Sequence, residues 1–442
     1  MKKTVKRVER QIITRNDVNA DVIDNLCFLS KNLYNSANYV LRQVYFGKLD
    51  NIPDFKNVIK EFKIKDKIYY KIDEYDLSQK LLELKQVDYK SLPSQVSQQI
   101  IKLLYKNWKS FFRSIKSYKQ NPEKFKGIPK KPKYKEKDGR NIIVFTNQQC
   151  HIKNNLIYFA KLKQVKVEIV NDKFEITLPQ LEPFKTNVTK IDQIRIIPQT
   201  SCYLIEIVYT KEVEYCKELN DKLYLGIDVG VNNLATCVNN AGLDPFIVNG
   251  KIVKSINQYY NKQKAYLQGF IYDIGSTGTS KRIKRLYLKR NNKIHDYFHK
   301  TSRYIINYCL KNDIKTIIIG HNKDQKQEIN MSKQNNQNFV SIPYCKLIGQ
   351  LRYKGEEVGI ELIETEESYT SKCSLLDSEE MKHSDNYLGK RIHRGQFRSK
   401  EGRLINCDVQ AGCNIIRKVV PKVFNDQGIE GLKLNPIRIN VS

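Results

Sequence analysis

The stretch that most constrains this chain is Leu225–Cys237, which reads LGIDVGVNNLATC. Leu223, Leu225 and Ile227 alternate with Tyr224, Gly226 and Asp228, the period-two pattern of a half-buried strand. Asp228 therefore ends the strand facing away from the Leu225/Ile227 row. Gly230 and the Asn232-Asn233 pair supply turn chemistry, and Leu234–Val238 reads as a second strand. A carboxylate held at a strand end beside a tight turn suits a metal-dependent site. Taken alone, it reads more simply as a turn aspartate bonded to its own backbone, so what decides is the company Asp228 keeps further along.

Charge narrows the partners. The 442-residue chain carries 77 Lys and Arg against 47 Asp and Glu, a net charge of +30 that points to a polyanion, most simply nucleic acid. No run of 18 or more apolar residues exists, so no segment is expected to span a bilayer and no membrane partner is expected. The start, MKKTVKRVERQII, is basic but is followed by no continuous apolar region of a signal peptide. Ten scattered cysteines without a CxxC pair fit reduced thiols, and the expectation is a cytoplasmic, nucleoid-associated protein.

Along the chain, residues 4–14 read as a strand. Val22, Leu26, Leu29, Leu33, Val40 and Val44 form the stripe of an amphipathic helix, and a further helix is expected over Leu77–Gln86. Ser91 and Pro93 signal another helix start. Val96, Ile100, Leu104, Trp108 and Phe111 are on the apolar stripe of that helix, while Lys102, Lys106, Lys109 and Arg113 lie on its other face. That basic face is either simply solvated or directed at phosphates. Residues 122–140 form a Pro/Gly/Lys linker in which Lys130, Lys131, Lys133 and Lys135 surround Tyr134. It is either a solvated connector or a segment that tracks a phosphate backbone and stacks on bases. Residues 141–213 hold six short runs rich in β-branched and aromatic residues, among them VKVEIV (165–170), and predict a small antiparallel β-barrel or sandwich.

From Lys222 the order becomes three strands, a long basic helical region, the apolar strand KTIIIG (315–320), a helix over Pro343–Val358, a strand over Ile360–Thr365 and a helix over Asp408–Lys418. That is the order of an RNase H-like fold, in which the first and fourth strands pair in parallel and the last helix starts near their carboxyl ends. Such a fold supports phosphodiester hydrolysis by two magnesium ions about 3.5–4 Å apart. Magnesium prefers hard oxygen ligands, so about three carboxylates from separate elements must converge. Asp228 and Asp408 fit, although a carboxylate at a helix start is also favoured as a cap. The fourth strand ends in Gly320-His321-Asn322 with no acid, while the fifth ends in TEESYTSK (365–372), which offers Glu366 and Glu367. His295 and His299 lack the glutamate of an HExxH protease, and GSTGTSK (275–281) lacks the spacing of a phosphate-binding loop.

In order, LGIDVGVNNLAT, IIIGHNKDQKQ, EESYTSKCSLLD and NCDVQAGCNI resemble the RuvC motifs of the TnpB (OrfB) proteins of bacterial insertion sequences. The resemblance extends upstream to FKGIPKKPKYKEKDGRN. It implies a multidomain α+β chain: the first strand of a β-barrel at 1–20, a helical recognition lobe at 21–121, a basic linker at 122–140, the rest of the barrel at 141–219 and a RuvC nuclease domain at 220–442. The implied activity is RNA-guided DNA cleavage, with a guide RNA and double-stranded target DNA as partners and two Mg2+ ions on Asp228, Glu367 and Asp408. Glu367 is selected by its register before Tyr-Thr-Ser, in the branch whose second acid has left the fourth strand. The alternatives are a guided DNA-binding protein that no longer cuts, and a strand-transferring transposase. Many relatives carry two CxxC pairs where this chain has only Cys373, His383, His393 and Cys407, so no zinc is expected. Within the insert (373–406), residues 389–403 (GKRIHRGQFRSKEGR) are strongly basic instead, and Arg391 and Arg394 are its candidate nucleic-acid contacts.

Overall fold

The computed structural model describes residues 2–14, 20–64, 67–153, 156–159, 175–177, 188–215, 218–275, 278–322, 337, 339–424 and 431–441. The chain divides into two compact units, Lys6–Glu212 and Val213–Ser442, with Met1–Val5 belonging to the second.

In the first unit the two long helices form as expected, the one expected over Leu77–Gln86 runs Glu74–Glu83, and a short fourth, Val87–Ser91, is one the sequence did not show. Helix α1 spans Ala20–Phe46, α2 Glu74–Glu83, α3 Val87–Ser91 and α4 Ser94–Gln120. Strands β2 (Lys60–Ile64) and β3 (Lys67–Lys71) make a hairpin between α1 and α2. The period-3.6 stripes are what bury: Ile23, Leu26 and Leu33 of α1 meet Ile101, Leu104 and Trp108 of α4 in one core. That same core takes in Ile143, Phe145, Ile194 and Ile205 from the sheet ordered β1 (Lys2–Thr14), β9 (Cys202–Glu214), β8 (Val188–Pro198), β4 (Ile143–Thr146).

No closed barrel forms among the described residues. Among the described residues the strands form this open four-stranded sheet and a separate three-stranded one, β5 (Cys150–Lys153), β6 (Leu156–Phe159) and β7 (Glu175–Thr177). The apolar face of the larger sheet is covered by α1 and α4, so it need not curl onto itself to bury that face. The VKVEIV run (165–170) lies outside the described residues.

Beyond a 3-10 turn at Pro122–Lys124, the lysine-rich linker is neither helix nor strand, yet residues 132–137 are bound to α1. It lies as a strap on one side of α1, where Lys31, Asn35, Asn38 and Arg42 recur at four- and three-residue spacing. Lys31 donates to the Lys137 carbonyl (2.6 Å), and Asn35 both donates to the Lys135 carbonyl (3.0 Å) and accepts from its amide (2.8 Å). Asn38 and Arg42 both donate to the Pro132 carbonyl. An extended strap has no internal ladder, so these side chains replace the backbone pairing it lacks.

The second unit is built on a six-stranded sheet ordered β14-β13-β10-β11-β12-β18. Strands β10 (Asn220–Val229), β11 (Asn233–Asn239) and β12 (Phe246–Asn249) form an antiparallel meander; β13 (Ile314–Gly320) adds in parallel to β10, and β14 (Glu361–Thr365) in parallel to β13. This is the strand order expected of an RNase H-like sheet. The crossovers run through α5 (Lys251–Asp273), α6 (Lys281–Lys311) and α7 (Tyr344–Glu356). The insert folds as a three-stranded antiparallel sheet, β15 (Lys390–His393), β16 (Gln396–Arg398) and β17 (Leu404–Asn406), leading into α8 (Cys407–Val419). A short β18 (Ile437–Ile439) pairs with β12.

Both faces of this sheet are covered. Leu225, Ile227, Ile317 and Ile319 face the core shared with α6 and α7, and Val238 and Ile318 face the core shared with α8. A side chain at Gly226 would sit 2.4 Å from the Gly412 carbonyl, so glycine here permits α8 to lie directly on β10. Residue 228, two places on from 226, shares that α8-facing side.

Candidate active site

Three strand ends and one helix start converge here. The parallel register pairs Ile227 with Ile319, so one step further Asp228 and Gly320 end neighbouring strands side by side. Gly320 in turn pairs with Thr365 of β14. Two residues beyond Thr365 the chain turns back, with Tyr369 in the left-handed region at φ 65°. The Thr370 amide (3.2 Å) and hydroxyl (2.8 Å) both donate to the Glu367 carbonyl, and the Glu367 amide donates to Asn322 Oδ1 at 2.9 Å. These bonds fold Glu367 over the end of β13. A Cβ placed on Gly320 would lie 2.7 Å from Glu367 Cγ and 3.0 Å from its Oε1. The fourth strand thus has no acid because the space above it belongs to the acid of the fifth.

Asp408 arrives from the opposite direction. The cap of α8 is Asn406, whose Oδ1 accepts from the Asp408 (3.0 Å) and Val409 (3.2 Å) amides, so the Asp408 carboxylate is not spent on capping. It accepts instead from Asn233 Nδ2 at 2.5 Å, and Asn233 Oδ1 accepts from Arg438 at 3.1 Å. One helical segment also ties the two outer acids together. Fully buried Asn414 of α8 donates to the carbonyls of Thr370 and Cys373, both at 2.9 Å, fixing the turn that carries Glu367.

The electrostatics match this geometry. Burial pushes the Asp228 carboxyl well above the usual carboxylate range; the negative charges of Asp408 and Glu367 push it the same way, and the Arg391 guanidinium pulls it back. Burial and the charges of Asp228 and Glu367 also raise the phenol of Tyr344. Three mutually repelling carboxylates around a strand end are a hard-oxygen donor set of the kind Mg2+ takes, and a cation there would relieve the repulsion. The fit is one of donor chemistry rather than of a ready cage: among the described residues no three His, Cys, Asp or Glu side chains stand close enough to hold a metal.

The other sequence candidates divide. Glu366 is exposed, accepts from the Ser368 hydroxyl and stands outside the cluster. Arg391 of β15 is exposed, bonds the Arg394 carbonyl (2.6 Å) and is near enough to act on Asp228, whereas Arg394 is simply exposed. Lys102, Lys106, Lys109 and Arg113 project from α4 into solvent. A cavity of about 500 Å³ lies between α4 and the strap, with Asn107, Ser110, Lys130, Lys133, Tyr134 and Lys135 in its walls. Lys131 lies over the Phe46 ring, Lys135 over Tyr34, and Arg42 over exposed Tyr134. At the two ends of the insert, Cys373 and Cys407 meet the backbone carbonyls of Lys382 (3.8 Å) and His393 (4.0 Å). His295 and His299 touch each other through Nε2 at 3.2 Å. From IIIGHNKDQKQ, residues 323–327 lie outside the described residues.

Sequence reasoning did not find Asn233, Asn322, Asn414 or Tyr344. Asn233 carried a signal, since it stands in the turn directly after Asp228; the others join segments far apart in the chain.

The model of the OrfB_IS605 family, a probable transposase, matches residues 206–326, and that of the Cas12f1-like TNB domain matches 344–415. The first range holds Asp228, and the second holds Glu367 and Asp408. The TnpB-like protein ORF457 of Acidianus two-tailed virus is 23% identical over 226 residues, which is 49% of this chain and 46% of the viral protein. The chain thus spans about half the length of that curated relative. Among solved structures, Cas12f1 in a complex with sgRNA and target DNA superposes with a TM-score of 0.54 at 14% identity, covering 89% of this chain and 82% of that one. At that identity the likeness is one of fold.

Proposed function

We propose that the chain is a member of the TnpB family and an RNA-guided DNA endonuclease of transposable-element origin that cuts with Asp228, Glu367 and Asp408. The observation that carries this reading is the Glu367 side chain lying over Gly320, beside the strand end that bears Asp228. It explains how a chain without a fourth-strand acid still assembles three carboxylates.

The roles follow from position. The three carboxylates would hold Mg2+, with Asp228 as the central ligand because its charge interacts with both of the others. Two such ions would supply electrostatic stabilisation of the attacking and leaving oxygens of the phosphodiester. Arg391 would bind a non-bridging oxygen of the same phosphate, holding the strand against the acids. Asn233 keeps the Asp408 carboxylate turned toward the sheet, and Asn414 keeps the Glu367 turn closed. Guide RNA pairing would select the target, and the basic strap and the lysine face of α4 would hold the nucleic-acid backbone.

A second reading, a guided DNA-binding protein that does not cut, draws support from one observation: the described acids form no ready three-ligand cage. Purification of the chain with its co-expressed small RNA, followed by incubation with matching duplex DNA in Mg2+, separates the two. Cleavage lost in Asp228→Ala with RNA binding retained supports the nuclease. Target binding without cleavage in either Mg2+ or Mn2+ supports the binder.

A further inference from the structure

The pair α5 and α6 is strongly one-sided in charge. Lys251–Lys311 holds fourteen Lys and Arg against two acids, Asp273 and Asp296. A solvated helix pair usually mixes both signs. Here the positive charge is interleaved with exposed rings: Tyr259 (62% exposed), Tyr266, Phe270, Tyr272 and Tyr287. Rings left in solvent at this density mark a contact surface.

Between the helices lies a cavity of about 280 Å³ whose walls include Tyr259, Tyr260, Leu286, Lys289, Arg290 and Lys293. Its floor is rigid. Arg290 is pinned by Asn257 Oδ1 (2.7 Å) and the Ser341 carbonyl (2.5 Å), and its guanidinium lies over the Tyr260 ring at 5.9 Å. Tyr260 in turn meets Tyr287 at 6.1 Å. Lys289 and Lys293, one helical turn apart, are exposed at the rim. An aromatic wall beside two exposed ammonium groups is the arrangement that takes an unpaired base and its flanking phosphates.

We propose that the α5–α6 cavity is a seat for a single-stranded nucleic acid, with a base stacked on Tyr259 and two phosphates on Lys289 and Lys293. The proposal rests on the reading of this chain as a nucleic-acid enzyme and adds a strand-holding site apart from the three acids. Charge selects the occupant: a second copy of a chain at +30 is repelled by this face, and a polyanion is drawn to it.

The test is fluorescence anisotropy of the full chain with labelled 20-nucleotide RNA and DNA strands over a salt series. Tyr259→Ala is expected to weaken binding about five- to one-hundred-fold with an unchanged salt slope, and Tyr259→Phe to retain it. Lys289→Gln/Lys293→Gln is expected to lower the slope of log affinity against log salt by about one to one and a half. The strand bound more tightly, RNA or DNA, identifies the source. Wild-type affinity and slope in both variants overturn the seat while leaving the nuclease reading intact. A wild-type chain that binds neither strand overturns both. If Tyr259→Ala instead dissociates a dimer in light scattering at unchanged strand affinity, the face is a self-interface and the proposal fails.

Discussion

Gly320→Ala adds a single methyl group to the cradle of Glu367. The new Cβ would stand 2.6 Å from Ile415 Cδ1 and 2.7 Å from Glu367 Cγ. The isoleucine tip is a free end and can swing aside. Cγ of Glu367 is mid-chain, and restoring an ordinary contact of 3.4 Å moves it, with its carboxylate, by about 0.7 Å. Overpacking of this kind costs about 1–3 kcal/mol, a fall of roughly 3–10 °C in Tm for a unit of this size. The catalytic cost is larger, because displacing a reacting group by on the order of 1 Å lowers rates about a hundredfold. Single-turnover cleavage of guide-matched duplex DNA in Mg2+ measures it, and affinity for the guide RNA reports that the fold is intact. Gly320→Asp with Glu367→Ala, which returns the acid to the fourth strand, is expected to recover part of what either single change loses. Cleavage at the wild-type rate in Gly320→Ala would refute the idea that one cradle serves one acid.

Other perturbations follow from the same geometry. Asn414→Ala leaves the buried Thr370 and Cys373 carbonyls without their donor and is expected to cost about 1–3 kcal/mol in denaturant unfolding, with a parallel loss of cleavage. His299 is held down to about 4 from 6.5, first by burial and then by His295, Lys354 and Arg303, against the opposite pull of Asp296. The unfolded chain therefore binds the extra proton first, and stability should fall as pH drops from about 6.5 to about 4. His299→Gln should flatten that part of a Tm-against-pH curve. Elemental analysis of the purified chain is expected to give no stoichiometric zinc, and Cys373→Ser/Cys407→Ser to unfold within a few degrees of wild type, since both thiols meet backbone carbonyls.

Periodicity made the frame of the second unit legible. Alternation located β10, the apolar run KTIIIG located β13, and the parallel pairing of the two put Asp228 at the centre. The burial stripes of α1 and α4 could be read the same way, because an amphipathic helix declares its inner face residue by residue. What the sequence concealed is long-range and polar. That Asn414 closes the Glu367 turn, or that Asn35 and Asn38 bind the strap, depends on segments distant in the chain, and asparagine has no period. The open sheet was hidden because a run of short strands does not say what covers its apolar face. Strand β18 is three residues long, too short to show alternation.

Whether Glu367 rather than Glu366 holds the metal is decided by cleavage with Glu367→Gln and Glu366→Gln compared side by side. Glu367→Gln, which keeps the shape over Gly320 but removes the charge, is expected to cut at least about a hundredfold more slowly, about 2.7 kcal/mol in barrier. Exposed Glu366→Gln is expected to cut at the wild-type rate. Full activity in Glu367→Gln, or a loss confined to Glu366→Gln, would contradict the assignment of Glu367.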